Sequence, residues 1–214
     1  HHGWLSTKAE EAVPQAMWRT DPALAGPGGA LGDIGTHAHH LTGFITGLEV
    51  ESLCAETASF VAGRQLDDDA AVMLRFRGGA KGLLSASQIC AGEANALSIR
   101  IYGDRGGLRW RQQEPETLEL LGVDGEKRTI TRGMPELSAH ASASSRIPPG
   151  HPEGFIEAFA NIYRNAATEI SARSASGGRT MGEDHAPGPQ AGHSGVRFVE
   201  LCVERAARGG QGSD

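Results

Sequence analysis

Between Val50 and Thr131 the chain reads as strand after strand, and this block most constrains what it can fold into. Ala70 to Arg77 and Ala80 to Ile89 flank Gly78-Gly79, a two-residue link that suits a hairpin because both turn positions want φ > 0. Asn95 to Tyr102 alternates, with Leu97, Ile99 and Ile101 on one side and Ser98 and Arg100 on the other. Asp124-Gly125 is a second hairpin signal, leading into Lys127 to Thr131. With Val50 to Val61, Gly107 to Trp110 and Thr117 to Leu121, the pattern predicts about six or seven strands, largely antiparallel.

Helical patterns lie on both sides of this block. A short candidate runs from Leu5 to Ala12, followed by the turn signals Asp21-Pro22 and Gly26 to Gly29. A helix is predicted from about Asp33 to Thr46, with Leu41, Phe44, Ile45 and Leu48 apolar and Gly47 as its stop. Residues 133–152 read as loop. Glu153 to Ile170 reads as a helix with a stripe of Phe155, Ile156, Phe159, Ile162 and Tyr163, and Glu153 in its first turn favours the dipole. Residues 174–191 are rich in Gly, Ser and Pro and read as mobile. A last helix is expected from Gly192 to Ala207, with a disordered tail over 209–214. The order predicts an α+β fold: an open, mostly antiparallel mixed β-sheet with helices packed on one face. An alternating βαβ chain is excluded.

Composition narrows the function classes. A net charge of −6, with no Lys/Arg-rich run, gives no electrostatic reason to bind nucleic acid. No apolar run approaches the ~20 residues that cross a bilayer. Cys54, Cys90 and Cys202 are few and scattered, which suggests reduced thiols in a cytoplasmic protein. The chain opens without Met and without a signal peptide. His1 and His2 look like the remnant of a tag, and no chemistry is assigned to them. The acidic run Asp67-Asp68-Asp69 reads as a solvated strand entry, because no calcium-loop spacing follows it.

The chemistry concentrates in Gly28-Gly29-Ala30-Leu31-Gly32-Asp33-Ile34-Gly35-Thr36-His37-Ala38-His39-His40. In a helix from Asp33, the side chains of Asp33, His37 and His40 share one face. A carboxylate beside an imidazole raises its proton affinity and fixes its tautomer, which is how a general base near neutral pH is built. Two other uses of these residues stay open. Asp33 could be a helix N-cap with His37 a partly buried polar residue. The same residues could bind a metal in a lyase or isomerase, although no His-Glu-x-x-His run or Cys-x-x-Cys pair supports one. The glycine cluster does not fit a nucleotide loop, because no strand precedes it and the Gly-x-Gly-x-x-Gly spacing fails at Leu31. It suits close approach of the backbone to a ligand or to another strand. No Gly-x-Ser-x-Gly elbow supports serine catalysis.

The run from Gly28 to His37 resembles the substrate-domain motif of the glucose–fructose oxidoreductase / inositol dehydrogenase / MocA family. Trp18-Arg19-Thr20-Asp21-Pro22, Gly103-Asp104-Arg105-Gly106-Gly107-Leu108 and Gly150-His151-Pro152-Glu153-Gly154-Phe155 resemble the same family, so the likeness extends from about Trp4 to Ala206. The resemblance implies a two-domain enzyme, of which residues 1–208 look like the C-terminal substrate-binding and oligomerisation domain, with the Rossmann domain absent from this chain. It implies that NAD or NADP is bound mainly by that other domain, with no cofactor-binding residue here and no metal. By the same resemblance Asp33 and His37 match the catalytic pair of an oxidoreductase acting on the CH-OH group of a sugar or polyol. Trp18, Arg19, His40 and His151 would line the substrate site. A homo-oligomer through the open sheet face is implied, and the chain alone is expected to lack activity. Against these roles, Trp18 could be a core residue, Arg19 could pair with Asp21 on the surface, and His151 could be plain loop. The alternative function is a non-catalytic homologue that binds a sugar or self-associates.

Overall fold

The computed structural model describes residues 1–8, 12–175 and 187–209. Two compact units emerge: His1–Leu97 with the chain from Ala191 onward, and Ser98–Gln190. The architecture is α+β with antiparallel sheets, as the turn pattern predicts.

In the first unit, short helices α1 (Pro14–Met17) and α2 (Pro22–Ala25) precede a π-helical turn over Leu31–Gly35. That turn runs straight into α3 (Thr36–Thr46). Gly47 ends α3 in the left-handed conformation at φ 66°, as a C-terminal glycine stop does. Strands β1 (Val50–Ala58), β2 (Asp69–Phe76) and β3 (Lys81–Ser87) form an antiparallel meander in that order. Gly78 and Gly79 turn β2 into β3 with φ of 86° and 93°.

Burial alternates along β2, so one face is core and the other is open. Ala70, Val72, Leu74 and Phe76 of β2, Ala55 of β1, and Leu84 and Ala86 of β3 form the inner face. Leu31 of the π-turn covers this face together with Phe198, Val199 and Cys202 of α6 (Pro189–Ala207). Burial pushes the Cys202 thiol up to about 12, so it is a packing residue rather than a nucleophile.

The second unit holds β4 (Ser98–Gly103), β5 (Gly106–Arg111), β6 (Thr117–Leu121) and β7 (Lys127–Thr131), again a simple antiparallel meander. The seven strands therefore divide into sheets of three and four, and every strand pairing among the described residues is antiparallel. Past Ser87 the backbone bonds to the first residues of the chain: His2 N–H to Ser87 O (3.0 Å), Leu5 N–H to Gln88 O (3.2 Å) and Cys90 N–H to His2 O (3.1 Å). His1 and His2 are thus part of the fold.

Local details also differ from expectation. The stretch read as loop over 133–152 contains α4 (Ala139–Ser144), whose N-cap Ser138 hydroxyl accepts from Ala141 N–H. Asp21 caps α2 in the same way. Helix α5 (Phe155–Ala175) starts after Glu153, whose carboxylate instead accepts from Arg132 Nη1 and from the backbone of Arg146 and Ile147. The candidate helix at Leu5 to Ala12, the mobile segment and the tail fall partly outside the described residues. Among the described residues no helix is long and apolar enough to cross a membrane.

The acidic run corrects a larger expectation. Asp68 is 0% exposed and Asp67 is also buried, so neither is a solvated strand entry. Asp68 accepts from Phe60 N–H and Val61 N–H (both 2.9 Å) and from Arg64 Nη1 (3.2 Å). Asp67 accepts from Gly29 N–H (2.6 Å) and Leu31 N–H (2.9 Å). Gly29 has to be glycine here, because a Cβ would strike the Asp67 carbonyl. Gly32, one turn along, faces open space. Gly29→Ala should therefore cost at least about 2 kcal/mol, while Gly32→Ala should be neutral or slightly stabilising. Urea unfolding of the two variants checks this pair.

Candidate active site

The site grows from the π-turn. Asp67 anchors the turn's amino end, and its backbone carbonyl also accepts from Ala30 N–H at 2.8 Å. A π-turn widens the helix by one residue, a distortion frequent where a side chain must be aimed. Here it carries Asp33, which is partly buried.

Asp33 Oδ1 accepts from Arg19 Nε at 2.8 Å, and Oδ2 accepts from Gln88 Nε2 at 2.9 Å. His2 Nε2 stands 4.0 Å from Oδ2. Arg19 is held further by its Nη1 donating to Gln15 O at 2.6 Å. Its guanidinium lies 4.2 Å over the Trp18 ring and 5.7 Å from that of Trp4. Stacking and the ion pair together fix a planar donor that remains 27% exposed. Arg19 therefore pairs with Asp33, not with Asp21. Trp18 is 46% exposed, a platform at the surface rather than a core residue.

The histidines of the motif separate by environment. His37 and His40 are exposed, and His40 stacks on Phe44 with ring centroids 6.4 Å apart. The His37 side chain forms no hydrogen bond among the described residues, and the Asp33 carboxylate is engaged by Arg19 and Gln88. His39 turns inward and stacks on Phe198 at 4.3 Å. His151 belongs to the other unit, where it is exposed and its carbonyl accepts from Arg132 Nη2 at 2.6 Å. Among the described residues no cluster of three or more His, Cys, Asp or Glu is placed to hold a metal.

Two residues of the site escaped sequence reasoning. Gln88 sits just past β3 and shows no local signal of its role. It is positioned by donating its backbone N–H to Asp68 O at 2.9 Å. His2 lies in the opening residues, where two adjacent histidines resemble a tag.

With this geometry established, likeness to known proteins decides the family. The model of the GFO/IDH/MocA C-terminal domain matches residues 1–109. The chain belongs to the GFO/IDH/MocA family. It is 35% identical over 213 residues to the uncharacterized oxidoreductase YfiI of Bacillus subtilis (strain 168), covering 97% of this chain and 54% of that protein. An inositol dehydrogenase homolog from Azotobacter vinelandii, solved with NAD+, superposes with a TM-score of 0.91 at 35% identity, over 100% of this chain and 55% of the other. The same description with NADH and myo-inositol gives 0.87 at 33% identity, over 100% and 54%. This GFO/IDH/MocA chain thus spans about half the length of the relatives it matches, and corresponds to their C-terminal domain.

Protonation adds a measurable property. Burial pushes the His2 imidazole below its ordinary 6.5, with Asp33 opposing in part. Burial also lowers His39, helped by neighbouring His40. Above pH 6.5 both rings are neutral folded or unfolded. As pH falls below that value the unfolded chain takes the protons first, so stability is lost, at up to about 1.4 kcal/mol per pH unit for each ring. Denaturant unfolding at neutral and mildly acidic pH should show this decline, and His2→Gln with His39→Leu should flatten it.

Proposed function

We propose that this chain is the substrate-binding and catalytic half of an NAD(P)-dependent oxidoreductase acting on the CH-OH group of a sugar or polyol. The observation that carries the reading is the Asp33 carboxylate, locked by Arg19 and Gln88 on the same helical run that presents exposed His37. Membership of the family supports it, as does the myo-inositol described with one relative.

The glycine run does not fit a dinucleotide phosphate. Gly29, Ala30 and Leu31 all direct their N–H groups at Asp67, which already occupies this helix start with a negative charge. In this reading the coenzyme is held mainly by a domain that this chain does not supply. A coenzyme remains necessary, because no side chain accepts a hydride.

In this reading His37 takes the proton of the reacting hydroxyl, and its exposure lets a substrate reach it. Asp33 holds Arg19 and Gln88 in place through its two oxygens. Arg19, stacked on Trp18, offers its remaining N–H groups to substrate oxygens. His37→Gln should lower kcat by about a hundredfold or more, in line with the loss of a general base. Arg19→Met should act mainly on KM. The assay is polyol-dependent reduction of NAD or NADP by the enzyme with its coenzyme domain, across cyclic polyols and sugars. Absence of turnover on every member of such a panel would reject the reading.

The open face of the first sheet supports self-association. Met73 is 58% exposed and Leu83 is 86% exposed, and the two pair across β2 and β3. Met73→Lys with Leu83→Lys should lower the mass measured by sedimentation. An unchanged mass would remove this face as the oligomer contact.

A further inference from the structure

His2 lies beside Asp33 and takes no part in the chemistry of Asp33, Arg19 and His37 above. Its side chain is only 9% exposed. The backbone is fixed on both sides, by its N–H to Ser87 O at 3.0 Å and its carbonyl from Cys90 N–H at 3.1 Å. The ring lies tilted against Trp4, with centroids 5.8 Å apart. Nδ1 is enclosed and has no hydrogen-bond partner among the described residues. Nε2 faces Asp33 Oδ2 across 4.0 Å.

A neutral imidazole carries one N–H, on one nitrogen or the other. Placed on Nδ1, that N–H would be a buried donor with no acceptor, which is strongly disfavoured. Placed on Nε2, it faces a carboxylate and leaves at Nδ1 only an unpaired lone pair. The geometry points to His2 as a positioning residue for Asp33: it holds the Nε2–H tautomer and aims that N–H dipole at Oδ2, beside the direct bonds from Arg19 and Gln88. This rests on the reading of Asp33 as the site carboxylate and deepens it. In that tautomer the basic nitrogen of His2 is sealed from solvent, so His2 cannot receive the substrate proton, and the acceptor role falls to His37. The carboxylate is then oriented by groups from four stretches of chain: Arg19 beyond α1, Gln88 beyond β3, His2, and the π-turn itself.

The tautomer is read directly by nitrogen-15 NMR of the histidine rings in the whole chain. At neutral pH His2 should show a protonated Nε2 and an unprotonated Nδ1. A protonated Nδ1, or a ring averaging between tautomers, would overturn the assignment. His2→Gln keeps an N–H donor at the position of Nε2, and His2→Leu fills the space without one. The Arg19 Nε–H and Gln88 side-chain amide signals should shift or broaden in the leucine variant and stay near their positions in the glutamine variant. Equal behaviour of the two would also overturn it. In the enzyme with its coenzyme domain, His2→Leu should reduce kcat about tenfold with KM changed by less than about twofold, and His2→Gln should recover most of that loss. A wild type inactive on every polyol would defeat the oxidoreductase reading while the NMR results still decide His2. Should the leucine variant fail to fold, the tautomer and the glutamine variant decide it.

Discussion

Two adjacent buried carboxylates hold the functional half of this molecule together. Asp67 closes on the amides of Gly29 and Leu31, so the π-turn and α3 start where they do. Asp68 closes on Phe60, Val61 and Arg64, and its own carbonyl accepts from Gln88. Asp67 therefore places the helix that carries Asp33, and Asp68 places the amide that bonds to it. Burying a carboxylate is costly unless its oxygens are satisfied, and here backbone N–H groups satisfy them. Burial still pushes the Asp67 carboxyl up, with the Leu31 and Gly29 amides pulling against it.

The same logic extends to Asp33, whose setting differs in one respect. Its partners are side chains, and one of them, Arg19, is itself wedged against Trp18. Both of its oxygens are thereby engaged, Oδ1 by Arg19 and Oδ2 by Gln88. His37 stands apart from this network, exposed and with no side-chain hydrogen bond among the described residues. Its neighbour His39 has the same chemistry but stacks on Phe198 and serves the core. One helical run thus assigns opposite tasks to histidines two residues apart, because successive side chains point about 100° apart around a helix.

Much of the fold was legible because its signals are local. Gly78-Gly79 turned β2 into β3 where the pair demanded φ > 0, β6 and β7 have the bounds that alternation and Asp124-Gly125 predicted, and Gly47 stopped α3. The division into two sheets was not legible, nor was the bonding of the first five residues beyond Ser87, because neither leaves a local sequence signal. Nor was the burial of Asp67 and Asp68. An acidic run looks solvated until the backbone amides that meet it are known, and those amides lie far away in sequence.

Taken alone, the sequence determined most of the strands, the hairpin turns and the family motif. Each of these follows from spacing within a few residues, where backbone geometry leaves little choice. Which donors meet Asp33 was decided only by tertiary packing. Gln88 reaches it across 55 residues and Arg19 across 14, while His2 stands near it from well before α1. No local periodicity encodes such contacts, because they exist only after the sheet, the π-turn and the opening strand of residues have closed on a common core.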